Sequence, residues 1–304
     1  MAPGKTKQIS KDALAALPET PGVYLFYGSL GELLYVGKSK AIRTRVRSHF
    51  SARDERWLCR KVTRVEVRET AGELGALLLE SQLIKELKPM FNVASRQRRR
   101  LVVARGTTNA AGYTVVHLEA VDYLDVRKSG PILGVFKHKT QAREYLDLIA
   151  KVHRLCPKLL RLEVARGYCF SYHLGQCGGA CMGEEDPSLY NARVDAAFEE
   201  RRIKAWPYPG GVVVEERSKK AARKEFFLID NWCLVASIRV NGEEFENGVL
   251  VQHRFDYDSY KILLNHMVNP ENHESIKPYA KREFEKLRRG LQSGNTDLLP
   301  SDHT

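Results

Sequence analysis

The sequence predicts a mixed α/β (α+β) protein in three parts. An N-terminal domain with a small sheet flanked by helices is expected over residues 12–98, a linker and cysteine-rich region over 99–185, and a small mixed C-terminal module over 186–304. Three observations carry this. The apolar runs Gly22–Tyr27 (GVYLFY) and Leu33–Val36 (LLYV) flank a Gly28–Glu32 turn and read as a hairpin. The run GELGALLLESQLIKEL, residues 72–87, repeats its apolar positions at helical spacing. Four of the six cysteines, Cys156, Cys169, Cys177 and Cys181, fall within 26 residues.

The elements follow in order. A short helix over Ser10–Leu17 stops at Pro18. After the hairpin, Gly37 lets the chain turn sharply into a basic helix beginning near Ala41. Cys59–Glu69, with Val62, Val65 and Val67, reads as a third strand, and 72–87 as a helix. The run Arg98-Arg99-Arg100 marks a junction. Strands are expected at Leu101–Ala104 and Tyr113–Glu119 and helices at Thr140–Leu155 and Pro187–Ile203. The C-terminal part reads as strands at Val212–Glu215, Glu225–Ile229 and Leu234–Val240, a turn at Gly242, and helices at Ser259–Met267 and Ile276–Leu291. Trp206, Phe227 and Trp232 read as core residues, and Cys59 and Cys233 as packing residues.

With 304 residues, 43% of them hydrophobic, the chain can build two or three modest cores. Residues 1–100 hold 20 Lys or Arg against 10 Asp or Glu, whereas the remainder of this +12 chain is nearly balanced, which suggests a localised surface for a polyanion. The opening MAPGKTKQISKDALAALPET has no apolar signal core, and no run is long enough to span a bilayer. The expected setting is cytoplasmic and reducing, with no membrane partner, where a disulfide framework is disfavoured.

The stretch LYVGKSKAIRTRVRSHF, residues 34–50, holds five cations and no carboxylate. Uncompensated like charge on a helix is destabilising, so Lys38, Lys40, Arg43, Arg45 and Arg47 look for negative charge outside the helix. Arg45 and His49 share one face of it. In the helix over 72–87, Glu80 falls among Leu77, Ile84 and Leu87. A carboxylate there needs a cation: a buried salt bridge with an arginine or a metal ion. Tyr24 and Tyr35 lie on the two hairpin strands.

These residues together resemble the GIY-YIG endonuclease domain of the UvrC family. The resemblance rests on LPETPGVY (17–24), LYVGKSK (34–40), Arg45 in RTRVRSHF, ALLLESQLIKELKP (76–89) and Phe91-Asn92. It implies Tyr24, Tyr35 and Gly37 as the paired motif residues, Lys38 beside them, Arg45 as the catalytic arginine, Glu80 as the ligand of one Mg2+ or Mn2+ ion, and Asn92 near the domain's end. His49 stands where UvrC-like chains usually carry tyrosine. Tyr35 is the favoured general base, with Lys38 and His49 as alternatives. Lys38, Lys40, Arg43 and Arg47 are expected to follow the DNA backbone.

The cysteine intervals suggest metal ligation. They are irregular, which suits a cubane cluster somewhat better than paired zinc knuckles. The resemblance implies a [4Fe–4S] cluster on Cys156, Cys169, Cys177 and Cys181, with structural Zn2+ as the alternative. The chain passes from this quartet to WPYPGGVVVEER rather than to the second nuclease of a full-length UvrC, a pattern that resembles the short Cho branch. A bacterial enzyme is then expected, acting as a monomer on damaged double-stranded DNA with UvrB, and UvrA upstream, and cutting on the 3′ side of a bulky lesion. The rival readings are a stand-alone structure-selective nuclease and a non-catalytic lesion-binding protein.

Overall fold

The computed structural model describes residues 9–92, 101–122, 124, 131–220, 222–242, 244–250, 255–292 and 299, with 244–250 described by backbone alone. The Arg98-Arg99-Arg100 run lies outside the described residues. Two compact units are present: residues 1–98 together with 207–304, and residues 99–206. Among the described residues no helix is long and apolar enough to cross a membrane.

The N-terminal part of the first unit comprises α1 (Lys11–Ala15), β1 (Gly22–Tyr27), β2 (Leu33–Ser39), α2 (Ile42–Ser51), α3 (Arg56–Cys59), β3 (Arg64–Glu69) and α4 (Glu73–Leu87). Its antiparallel sheet has the order β2-β1-β3, with β1 central. Strand alternation divides β1 between two layers. Tyr24 and Phe26 pack with Ile42 and Val46 of α2 and with Leu58 and Val62. Val23 and Leu25 pack with Val36 and with Leu83 and Ile84 of α4. The register shifts between Phe26 and Tyr27, leaving Leu34 as the extra residue of a bulge, so Leu34 joins the same layer as Tyr35.

The expected third strand over Cys59–Glu69 begins only at Arg64. The preceding segment contributes α3, because Leu58 and Val62 bury at a spacing of one helical turn, not at strand alternation. Strand β2 continues to Ser39 and carries Gly37 and Lys38 on its end.

The second unit contains β4 (Leu101–Thr108), β5 (Thr114–Val121), β6 (Ile132–Phe136), α5 (Lys139–Val152), α6 (Phe170–His173) and α7 (Pro187–Phe198), with sheet order β5-β4-β6. Its core joins Ala104, Val116 and Phe136 to Leu146, Ile149 and three of the cysteines. The compact unit runs past the expected boundary at 186, to Trp206. Asp186 caps α7 by accepting from Ser188 and Leu189 N–H, and Tyr190, Val194, Ala197 and Phe198 of α7 complete this unit's core.

The C-terminal module adds β7 (Val212–Arg217), β8 (Arg223–Asp230), β9 (Cys233–Asn241), β10 (Glu244–Leu250), α8 (Tyr257–Val268), β11 (Ile276–Pro278) and α9 (Lys281–Gln292). The five strands run β10-β9-β8-β7-β11. A single helix over Ile276–Leu291 is not formed. Ile276–Pro278 pairs with Val212–Val214, and Pro278 separates that edge strand from α9. Phe227 and Trp232 are buried as expected, Cys59 and Cys233 are buried cysteines outside any disulfide, and Trp206 is half-buried.

Candidate active site and thiol centre

Strands β1 and β2, helix α2 and the middle of α4 converge on one group of side chains. Tyr24 Oη lies 2.6 Å from His49 Nε2. On the far side of the imidazole, Nδ1 lies 2.5 Å from Glu55 Oε2. Burial pushes His49 below the ordinary histidine range, so the ring is neutral at neutral pH. The Glu55 carboxylate facing Nδ1 favours the proton on that nitrogen and leaves Nε2 to accept from the Tyr24 hydroxyl. Arg45 also hydrogen-bonds Tyr24, from an exposed position on α2.

Tyr35 faces the same space, its ring centroid 6.3 Å from that of Tyr24 and 5.7 Å from that of His49. Gly37 closes the floor: a Cβ there would overlap the Tyr24 hydroxyl, so the second tyrosine motif needs glycine for close approach.

Glu80 is half-buried and accepts the Lys38 N–H at 3.0 Å through Oε1. Burial raises its carboxyl above the usual range, and the Lys38 amide and ammonium oppose the rise. A desolvated carboxylate beside two phenols offers hard oxygen donors of the kind a small divalent cation takes. The donor set therefore fits the Mg2+ or Mn2+ ion expected from the sequence. Tyr35 does not show the depressed phenol expected of a base. Burial and then the Glu80 charge push it up, and Arg45 pulls it down.

The remaining expected residues separate by role. Lys38 Nζ pairs with Glu73 at 3.1 Å, and Lys40 pairs with the same carboxylate at 2.6 Å. Arg43 Nε donates to Leu17 O at 2.6 Å and lies 3.8 Å from Glu19, which ties α2 to the segment before β1. Arg47 is exposed on α2. Asn92 bonds the backbone of β2. Its Oδ1 accepts from Val36 N–H at 2.9 Å and its Nδ2 donates to Val36 O at 2.8 Å, extending the ladder of edge strand β2. Glu55 and Glu73 escaped the sequence reading. The signal for Glu55 was a histidine on the buried face of a helix, which needs a partner for its second nitrogen.

In the second unit, the Sγ atoms of Cys156, Cys169 and Cys181 all lie within 4.8 Å of one another. Cys177 hydrogen-bonds both Cys156 and Cys169, and the Cys177 thiol is pulled down to about 6, first by Cys156. Backbone amides point at the sulfurs: Leu159 at Cys156, Tyr172 at Cys169, and Gly179 with Ala180 at Cys177. Three thiols gathered within 4.8 Å, with Cys177 beside Cys156 and Cys169 but outside that group, fit a thiolate-bound metal centre.

Three family models match in sequence order: the UvrC-like GIY-YIG domain over 20–93, the UvrC/Cho excinuclease middle domain over 112–200, and the excinuclease Cho C-terminal domain over 211–283. The chain is 37% identical over 250 residues to excinuclease Cho of Escherichia coli strain K12, covering 81% of this chain and 82% of that one. The chain belongs to the excinuclease Cho family. Excinuclease Cho of Salmonella typhimurium is 36% identical over 253 residues, covering 82% and 84% of the two chains. UvrABC system protein C of Geobacter metallireducens shares 37% over 196 residues but is covered for only 31% of its length, as expected where Cho diverges after the middle domain. Among solved structures, the magnesium-bound N-terminal endonuclease domain of UvrC from Thermotoga maritima is 29% identical, with a TM-score of 0.26, covering 28% of this chain and 99% of that one. As a Cho family member with a complete GIY-YIG match, the chain is an endonuclease of the excinuclease class.

Proposed function

We propose that this excinuclease makes the 3′-side incision at bulky lesions in double-stranded DNA after UvrA and UvrB have marked them. The observation that carries this reading is the convergence of Tyr24, Tyr35, Arg45 and Glu80 at the foot of basic helix α2, in a chain that matches the Cho-specific C-terminal model. Glu80 is the residue that holds a Mg2+ or Mn2+ ion, which when bound supplies polarisation of the phosphate and charge neutralisation at the leaving oxygen. Arg45 presents its guanidinium to the charge that builds on the phosphate oxygens. Tyr35 Oη is the favoured acceptor of the attacking water's proton, a task it can perform only as a phenolate, which a bound divalent cation and Arg45 would favour against the burial and Glu80 charge that push the phenol up. Lys38 and His49 are less suited to that task, since the first is tied to Glu73 and the second is buried under Tyr24. Glu55 fixes the His49 tautomer, so that the Tyr24 hydroxyl is held by both His49 and Arg45.

The test is an incision assay on lesion-bearing duplex with and without UvrA and UvrB. A 3′-side cut that depends on both proteins is the expected result. Equal cutting without them would replace this reading with that of a stand-alone nuclease.

The roles along α2 can be separated kinetically. Arg45→Ala should slow turnover at saturating DNA by about 100-fold. Arg47→Ala should mainly weaken binding and lower the salt slope of affinity by about 1. Single-turnover rates and salt titrations distinguish them, and the reverse pattern would exchange their roles.

The quartet Cys156, Cys169, Cys177 and Cys181 is proposed to hold one metal centre in a reducing, cytoplasmic setting. The family resemblance favours [4Fe–4S]. Zn2+ is the second reading, supported by the spacing within 4.8 Å of the Cys156, Cys169 and Cys181 sulfurs, since a zinc tetrahedron with bonds of about 2.3 Å has edges of about 3.8 Å.

A further inference from the structure

The helix that carries Glu80 has no cap of its own. Gly72 occupies the N-cap of α4 and offers no side chain to the unpaired amides of the first turn. The C-terminal module supplies what is missing. Glu216 Oε1 accepts from Leu74 N–H and Oε2 from Gly75 N–H, both at 2.8 Å. Glu225, its neighbour across β7 and β8, accepts from Ala71 N–H at 3.2 Å and is paired on its other oxygen with Arg239. Glu225 is fully buried. Negative charge at this end also complements the helix dipole.

Both glycines of this turn are shaped to the carboxylates. A Cβ on Gly72 would overlap Glu216, and a Cβ on Gly75 would overlap Glu225 Oε2. Glycine is otherwise a poor choice inside a helix. Near the other end of α4, Lys85 pairs with Asp256, the residue before α8, and lies 3.4 Å from Asp258. The first turn of α4 also carries Glu73, which holds Lys38 and Lys40, and Lys38 N–H holds Glu80.

We propose that the C-terminal module is a brace for the catalytic helix, with Glu216 and Glu225 as positioning residues that set the placement of α4 on the sheet and hence of Glu80. About one and a half turns separate Glu80 from the braced amides, so a shift or tilt of the first turn is carried along the rigid helix to its carboxylate. Burial pushes the Glu216 carboxyl up to about 7, against the pull of the two amides, and Glu225 and Glu73 add to the push. A buried acid retained at that cost is consistent with a positional role. The proposal rests on Glu80 acting at the phosphate.

The experiment compares Glu216→Ala, Glu216→Gln and Gly75→Ala in the full chain. Turnover at saturating DNA, DNA affinity, the Mg2+ concentration for half-maximal rate and amide exchange at Leu74 and Gly75 are measured on protein shown to be folded. Glu216→Ala should lower turnover about tenfold, leave affinity within about twofold and raise the Mg2+ requirement several-fold. Its two amides should exchange faster. Glu216→Gln, keeping one acceptor, should fall between. Gly75→Ala should slow turnover although alanine favours helix, a sign that local helix stability alone would not give. Folded variants with wild-type turnover, Mg2+ requirement and exchange would overturn the brace. If Glu216→Ala does not fold, Glu216→Gln and Gly75→Ala decide the matter by the same measurements. Should Glu80→Gln cut normally, the active-site reading fails by itself, and the amide exchange of Leu74 and Gly75 still decides whether the module holds the helix.

Discussion

Glu80→Gln is expected to abolish incision, with a loss of about three orders of magnitude or more in single-turnover rate, while DNA affinity stays near wild type. A metal's contribution of several kcal/mol to the transition state corresponds to a factor of this size. The amide is nearly isosteric and its Oε1 can still accept the Lys38 N–H that holds Glu80 at 3.0 Å. It also removes a charge from a half-buried position beside β2, so the variant should melt at or above the wild-type temperature. The pairing of lost rate with retained stability separates a ligand from a structural carboxylate. A variant that cuts at the wild-type rate, or one that is inactive only because it is unfolded, rejects the assignment. Raising Mg2+ or Mn2+ should not restore the rate.

Cys177→Ala is expected to have the largest structural effect. Cys177 bridges Cys156 and Cys169 and receives the Gly179 and Ala180 amides, so its loss opens the centre of the cysteine-rich segment. Binding free energy at a structural thiolate centre is folding free energy, about 10–16 kcal/mol for zinc in small domains. Its removal exceeds the typical stability of a domain of this size, about 5–15 kcal/mol. The variant should lose its metal, and the second unit should become open to protease between Pro157 and Asp186. Anaerobically purified wild-type protein should be brown, with iron and sulfide in equal amounts. One zinc without iron or sulfide would reject the cluster and keep the centre. A colourless, metal-free protein of full stability would return the four cysteines to ordinary packing.

Much of the nuclease half was legible along the chain. The hairpin, the basic helix and the helix bearing Glu80 are local patterns, and β1, α2 and α4 lie within a few residues of where periodicity puts them. The site residues were found as an ordered set of blocks, and Tyr24, Tyr35, Arg45 and Glu80 do meet. What was missed has a common cause. Strands β6 and β10 were not anticipated, and Ile276–Pro278 was taken for helix, because a short strand is decided by the neighbour it pairs with. Arg43 and Asn92, expected as binding and site residues, each also bond a backbone carbonyl or amide that the sequence cannot show.

The sequence by itself determined the chemistry available: a basic helix, one carboxylate among leucines, two tyrosines on a hairpin and four gathered cysteines. Tertiary structure alone decided which groups serve which purpose. His49 needs Glu55 for its second nitrogen, and α4 takes its cap from Glu216, far away along the chain. Helical and strand periodicity are set by interactions a few residues apart. The burial of a charge and the partner that satisfies it are set by whatever the fold brings within hydrogen-bond distance, and that distance has no counterpart in sequence separation.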